Sequence, residues 1–205
     1  MIRNMKRIAW TLAAALLLTA SARAQDWKEA LKKAAATAVD QATGGELTRY
    51  ALVGDWCYAA PGVKFESSDI AAELGGAALE TSVTSRLEKA YLLAGIRPGT
   101  FRFTFAKDDT FRALCGTREL SGTYEFDAAT HLVTLHFAKG KYDLGSVPGH
   151  AYISGEELQL VFPVTRLVDM VTALGSRIQS LSTLASLLAK YENVYIGFRL
   201  ERQRP

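Results

Sequence analysis

The stretch that decides the fold is residues 51–58, which read Ala-Leu-Val-Gly-Asp-Trp-Cys-Tyr. From Leu52 to Tyr58, every second residue is apolar or glycine, a spacing typical of a strand with one buried face. A glycine two positions before a tryptophan has a physical use. Its missing side chain lets an indole or a neighbouring backbone approach closely where a sheet curls. We therefore interpret this stretch as a first strand in which Gly54 and Trp56 are structural residues.

Short alternating segments follow from Thr100 onward and are separated by turn residues. Such spacing predicts a β-sandwich or a β-barrel. A closed barrel is favoured because its first strand can pair with its last and leave no edge. We predict a mainly β fold, a closed antiparallel up-and-down barrel of about eight strands. The candidate strands after the first are 101–105, 110–115, 120–126, 131–137, 142–144, 149–154, 158–162 and 194–200.

Helical patterns interrupt the strands at two places. Apolar residues at helical spacing predict a helical cap at 68–94, after the first strand, and a second at 166–190, before the last. Insertions of this length are expected to lie across one mouth of a barrel. A further helix is predicted at 25–45, where the Gly44-Gly45 pair stops it. The barrel domain with its caps is expected to occupy 46–205.

The N-terminal 24 residues carry the features of an export signal. A basic segment with Arg3, Lys6 and Arg7 precedes a short apolar run, and Ala22-Arg23-Ala24 predicts cleavage before Gln25. The apolar run is too short to favour a retained membrane anchor. Cleavage would remove four of the 24 basic residues and leave 20 against 21 acidic residues. We expect an exported protein, periplasmic or secreted, that has no transmembrane segment when mature and does not bind nucleic acid.

The chain resembles the superfamily of lipocalins and fatty-acid-binding proteins, whose first strand bears Gly-x-Trp, here Gly54 and Trp56. It is more closely similar to a lipocalin-like family of exported bacterial proteins of unknown function. The segments that carry this resemblance are 54–67, Phe103-Thr104-Phe105, Gly122-Thr123-Tyr124 and Ile196-Gly197-Phe198. The resemblance implies an antiparallel barrel and export, and it implies no particular biochemical activity.

Three features depart from the lipocalin pattern. Lipocalins pair the tryptophan with an arginine near the last strand, and Arg199 is the candidate here, although its parity opposes that of Ile196 and Phe198. The Thr-Asp-Tyr segment that forms the second lipocalin signature is missing. The two helical insertions are foreign to ordinary lipocalins, whereas a helical lid after the first strand is similar to that of fatty-acid-binding proteins.

Aromatic residues dominate the face that alternation assigns to the barrel interior. Ligand pockets are apolar and aromatic, and an eight-stranded barrel can hold one small ligand. A barrel of this size can equally be filled by its own side chains. We predict Trp56 at the barrel floor and a ligand cavity lined by Phe103, Phe105, Tyr124, Leu160 and Phe162.

No residue set indicates an enzyme, and no cofactor is predicted. Cys57 and Cys115 are the only cysteines, and in an exported protein they form either a disulfide or two free thiols. His131 and His136 should point to opposite faces of one strand, which does not favour a metal site. Glu156-Glu157 falls in a predicted turn, where both side chains are expected in solvent.

Two functions remain open from these residues. The first is an exported barrel that binds an apolar or amphipathic, lipid-like molecule in or at the mouth of the barrel. The second is a non-catalytic structural or protein-interaction module of the cell envelope with a filled barrel. An internal cavity would favour the first function, and a filled core would favour the second.

Overall fold

The computed structural model describes residues 46–66, 76–139, 144–174 and 194–203, together with residues 38, 42, 183, 186 and 188. The predicted export signal at 1–24 lies outside the described residues, as does most of the helix predicted at 25–45, of which Ala38 and Ala42 are helical. The described elements are α1 (Glu46–Leu52), β1 (Gly54–Phe65), α2 (Gly76–Ala94), β2 (Phe101–Phe105), β3 (Thr110–Cys115), β4 (Arg118–Asp127), β5 (Leu132–Phe137), β6 (Ser146–Ser154), β7 (Glu157–Pro163), α3 (Val164–Ala173) and β8 (Val194–Arg202).

The eight strands form one closed antiparallel barrel in chain order. Each strand pairs with the next, and β1 also pairs with β8, so every strand has two neighbours. At the junction, Trp56 of β1 faces Phe103 of β2 on one side and Arg202 of β8 on the other. The prediction of a closed up-and-down barrel with helical insertions is confirmed.

The first strand begins later and extends further than predicted. Ala51 and Leu52 end helix α1, and β1 begins at Gly54. At its other end, β1 continues past Tyr58 and through Pro61-Gly62 to Phe65. Beyond Cys57, β1 pairs with β8 alone. Pro61 lies in this part of β1, and a proline is tolerated where a strand has a hydrogen-bonded neighbour on one side only.

Two other strand predictions need correction. β6 begins at Ser146 rather than at Gly149. Leu144, predicted at the end of a short strand at 142–144, is not in a strand, and Tyr142 lies outside the described residues. His131 is not the start of β5 but part of the preceding turn, with a positive φ of 55°.

Both helical insertions lie at the same end of the barrel, which we call the helical end. Strands β1 and β7 run in the same direction, and the insertions connect their last residues to β2 and β8. Helix α2 buries Leu87 and Tyr91, and α3 buries Leu167 and Met170. The opposite end, the basal end, holds α1 and the β2–β3, β4–β5 and β6–β7 turns. Of the predicted caps, 68–75 and most of 175–190 lie outside the described residues, and Thr183, Ser186 and Leu188 are helical.

Candidate ligand site

Trp56 lies at the basal end, and its side chain is 0% exposed. Its indole Nε1 donates a hydrogen bond to the Leu52 carbonyl, 2.8 Å away, at the end of α1. The last carbonyls of a helix have no partner within the helix, so such a donor caps them. Trp56 is thus buried beside the end of α1, and its role as the floor of the barrel stays a prediction.

An arginine covers the indole. The Arg202 guanidinium carbon lies 4.4 Å from the centroid of the Trp56 ring. The same guanidinium donates to the carbonyls of Val53, at 3.2 Å, and of Ala51. A Cβ at Gly54 would lie 2.5 Å from Arg202 Nη1, and the Gly54 φ of +145° also favours glycine. The Gly-x-Trp motif thus leaves room for the guanidinium that covers the indole.

Arg199, the candidate whose parity opposed that of Ile196 and Phe198, does not pair with the tryptophan. Arg199 is exposed on the outer face of β8, whereas Arg202 is the register partner of Trp56. Arg202 was missed because the last strand was expected to end at Leu200, and β8 continues to Arg202. Alternation from Phe198 through Leu200 to Arg202 would have placed the Arg202 side chain on the same face of the strand as these two residues.

The five predicted cavity residues are all buried, and their positions alternate with outward-facing residues along β2, β4 and β7. Several of them contact one another. The Phe103 and Phe105 rings stack with centroids 5.0 Å apart, and the Tyr124 ring meets Phe105 edge-on at the same distance. The Phe162 ring lies over Gly149, where a Cβ would come within 2.5 Å of it. Their predicted contact with a ligand stays a prediction.

Towards the helical end, helix α2 contributes a ring to the interior. The Tyr91 ring lies 5.3 Å from Phe198 and 5.9 Å from Tyr58, and its hydroxyl donates to the Gly197 carbonyl at 2.9 Å. The Phe101 ring lies 4.7 Å from Phe198. Burial raises the pKa of both the Tyr58 and the Tyr91 hydroxyls, so both are neutral. An aromatic stack therefore runs from the basal end to a ring supplied by α2.

Two clefts are formed wholly by described residues. One, of about 350 Å³, lies beside the end of α2 and is lined by Gly95, Thr100 and Cys115 among others. The other, of about 590 Å³, lies at the basal end between α1, the β2–β3 turn and β4. Both volumes fall within the range of about 300–1,000 Å³ that is usual for small-molecule sites.

The two cysteines are free thiols, so the disulfide that the sequence left open is not formed in this structure. Cys57, the fourth residue of β1, lies on the outer face of the strand with its Sγ 3.5 Å from Gln203 Oε1. Cys115 is buried against Ala94 of α2, and burial raises the pKa of its thiol. The two cysteines lie two strands apart, about 10 Å, and on opposite faces of the barrel wall. This separation exceeds the ~7 Å between Cα atoms that a disulfide can span.

The three histidines lie on the outer wall. His136 Nδ1 is 2.8 Å from Ser146 Oγ, and its Nε2 is 3.5 Å from a Glu125 carboxylate oxygen. His131 and His150 lie against the Tyr152 ring, with centroids 5.0 and 6.0 Å away. Within the described parts of the chain, no three His, Cys, Asp or Glu residues lie close enough to hold a metal ion. Glu156 lies in the predicted turn, and Glu157 begins β7.

Comparison with known families agrees with this architecture. Residues 27–202 match the family described as "Lipocalin-like domain (DUF4923)", and the chain belongs to that family. The predicted resemblance to a lipocalin-like family of unknown function is confirmed. No curated protein matches the chain.

One solved structure with a match is the crystal structure of a DUF4847 family protein from Bacteroides vulgatus. It is 14% identical to this chain, the match covers 74% of this chain and 94% of that protein, and the TM-score is 0.38. Within the described residues, none of the helices combines the length and apolar character needed to cross a membrane.

Proposed function

We propose that this is an exported lipocalin-like protein that binds an apolar or amphipathic, lipid-like molecule inside the barrel, beneath the helices of the helical end. The observation that carries the proposal is the position of Tyr91. Its ring completes the aromatic stack at Tyr58 and Phe198, yet it belongs to a helix rather than to the barrel wall. A movement of α2 would withdraw this ring without breaking a strand pairing.

The space that Tyr91 vacates would be apolar on most sides. Tyr58, Phe101 and Phe198 would then face a ligand instead of the Tyr91 ring, and the Gly197 carbonyl would be free to accept a hydrogen bond from its polar group. Burial of an aromatic ring stabilises by about 2–3 kcal/mol. A lipid-like ligand that buries more apolar surface than one aromatic ring would offset the stabilisation lost when the Tyr91 ring leaves the interior.

Fluorescence titration tests this exchange of ligand for ring. After cleavage before Gln25, Trp27 and Trp56 are the remaining tryptophans, so a W27F variant reports on Trp56 alone. We expect a panel of fatty acids and sterols to change its emission, and Y91A to bind more tightly because its site is already open. L93A is the matched control, since Leu93 lies on the same helix and is 71% exposed. The proposal would be contradicted if neither Y91A nor L93A changed its Trp56 emission with any member of the panel.

The second candidate is a structural or interaction module of the cell envelope with a filled barrel. The contacts between the rings of Phe105, Phe103, Phe101 and Phe198, with centroids 4.7–6.3 Å apart, support it, because rings in such contact leave little free volume between them. The titration distinguishes the two functions. A filled barrel would leave the Trp56 emission unchanged by every member of the panel, and Y91A would lose stability without gaining a ligand.

Export is part of the proposal and rests on residues 1–24. The mature chain is expected to begin at Gln25 and to be found in the periplasm or the medium. N-terminal sequencing of the exported protein checks this directly, and an intact Met1 would contradict it.

A further inference from the structure

The cleft at the basal end, which we call the basal cleft, lies at the end of the barrel away from both helical insertions. Its walls are α1, the β2–β3 turn and β4, and its volume is about 590 Å³. Trp56 and Arg202 lie at the same end of the barrel. A ligand in the basal cleft therefore would not need to displace Tyr91, and of the interior rings it would meet Tyr124.

Aromatic surface lines much of this cleft. Tyr50 of α1 is 79% exposed, so its ring is open to a ligand in the cleft. Tyr124 and Phe126 of β4 form the wall at the barrel side. The backbone on this side is fixed, since Arg49 Nη2 donates to the Phe126 carbonyl at 2.8 Å and Tyr124 Oη donates to the Ala106 carbonyl at 3.1 Å.

Two cations face the cleft. Arg49 uses one of its donors on Phe126, which leaves others available, and Lys107 projects from the β2–β3 turn. The acidic lining residues are Asp109 and Glu125. The Glu125 carboxylate is directed to the outer wall, 3.5 Å from His136. Burial, Asp109 and the neighbouring Asp108 raise the pKa of the Tyr124 hydroxyl, and Arg49 lowers it.

We propose that the basal cleft binds a small, flat amphipathic anion. Its ring system lies against Tyr50 and Phe126, and its anionic group receives hydrogen bonds from Lys107 and Arg49. Charge-assisted hydrogen bonds are the strong ones in such sites, and aromatic side chains supply apolar contact. Tyr124 also contacts Phe105 of the interior, but this site does not depend on the function proposed for the interior.

A pair of fluorescent probes tests the site on the mature protein. Anilinonaphthalene sulfonate carries a flat ring system and a sulfonate, whereas N-phenyl-naphthylamine has the same rings without the charge. The variants are K107Q and Y50S. Their matched controls are K89Q and L93S, which change an exposed lysine and an exposed apolar residue on α2, at the other end of the barrel.

We expect K107Q to weaken binding of the sulfonate about tenfold, the usual effect of losing a charged hydrogen bond, and K89Q to leave it unchanged. Y50S should weaken both probes, and K107Q should leave the uncharged probe unaffected. Equal binding of the sulfonate to K107Q and K89Q would overturn the anion site. Loss of binding in L93S but not in Y50S would assign the probe to the helical end and overturn the proposal.

Discussion

Replacing Arg202 by alanine should destabilise the protein far more than replacing Arg199, three residues earlier on the same strand. The Arg202 guanidinium stacks on the Trp56 ring at 4.4 Å and donates to the carbonyls of Val53 and Ala51. A cation–π contact contributes about 1–2 kcal/mol and a hydrogen bond to a charged group about 1.5–3 kcal/mol. Because Arg202 is only half-buried, solvent screening reduces the sum, and we expect a loss of about 3 kcal/mol.

Urea unfolding of the mature protein measures this loss. With a slope of about 2 kcal/mol per molar urea, a loss of 3 kcal/mol lowers the midpoint by about 1.5 M. Arg199 is exposed, and R199A should change the free energy of unfolding by less than about 0.5 kcal/mol. Equal midpoints for R202A and R199A would refute the assignment of Arg202 to the barrel floor.

A double-mutant cycle with Gly54 sharpens the test. G54A places a Cβ 2.5 Å from Arg202 Nη1 at a φ of +145°, and we expect it to cost about 2–3 kcal/mol. Removal of Arg202 relieves the clash but not the backbone strain. The double variant should therefore cost at least about 1 kcal/mol less than the sum of the two single losses. Additive losses would show that glycine is needed at this position for its backbone alone.

Three further predictions concern the wall of the barrel and its titratable groups. G197A should destabilise the protein by about 3 kcal/mol or more in thermal unfolding, because its Cβ would lie 2.1 Å from the Leu160 carbonyl oxygen of β7. A loss of stability below about 1 kcal/mol would contradict the close pairing of β7 and β8. The mature protein, denatured without reductant, should react with two equivalents of alkylating agent, and a product with no reactive thiol would show a disulfide. In the native protein, Cys57 should react faster than Cys115, because Cys115 is buried and burial raises the pKa of its thiol. Burial lowers the pKa of His150 below its ordinary value of 6.5. The unfolded chain therefore binds this proton more readily than the folded protein, and the free energy of unfolding should fall as the pH drops through about 6.5. H150Q should reduce that fall in pH-dependent urea unfolding, and an unchanged pH profile would remove His150 as its cause.

Much of the fold could be predicted from the sequence because half-buried strands alternate. Phe101, Phe103 and Phe105 alternate with polar residues, and they form β2 as predicted. The same alternation assigned the interior side chains of β4 and β7 correctly. Local pattern is sufficient where a strand has one face in the core and the other towards solvent.

The start of the first strand could not be predicted in this way. Leu52 has the same parity as Trp56, and its apolar side chain fits either a strand or a helix end. Its carbonyl, however, accepts from the Trp56 indole, and the neighbouring carbonyls of Ala51 and Val53 accept from Arg202. The end of α1 is therefore stabilised by a residue about 150 positions away in the chain, which no local pattern records.

The interior was predicted in part. The rings of the strands were expected to face the interior, and they are buried. The insertion of Tyr91 from α2, however, depends on how the helix lies across the barrel end. Its position within a helical face indicated burial without indicating the partner. The continuation of β1 through Pro61 was missed for a similar reason, since only the strand order shows that this part of β1 has one neighbour.

The central claim is that the barrel interior accepts a lipid-like molecule in the place of the Tyr91 ring. Native mass spectrometry of the exported, mature protein, purified without added lipid and compared with Y91A, tests it most directly. We predict an additional small-molecule mass that is released on denaturation, with greater occupancy in Y91A. The bare protein mass in both samples, unchanged after incubation with fatty acids and sterols, would contradict the claim.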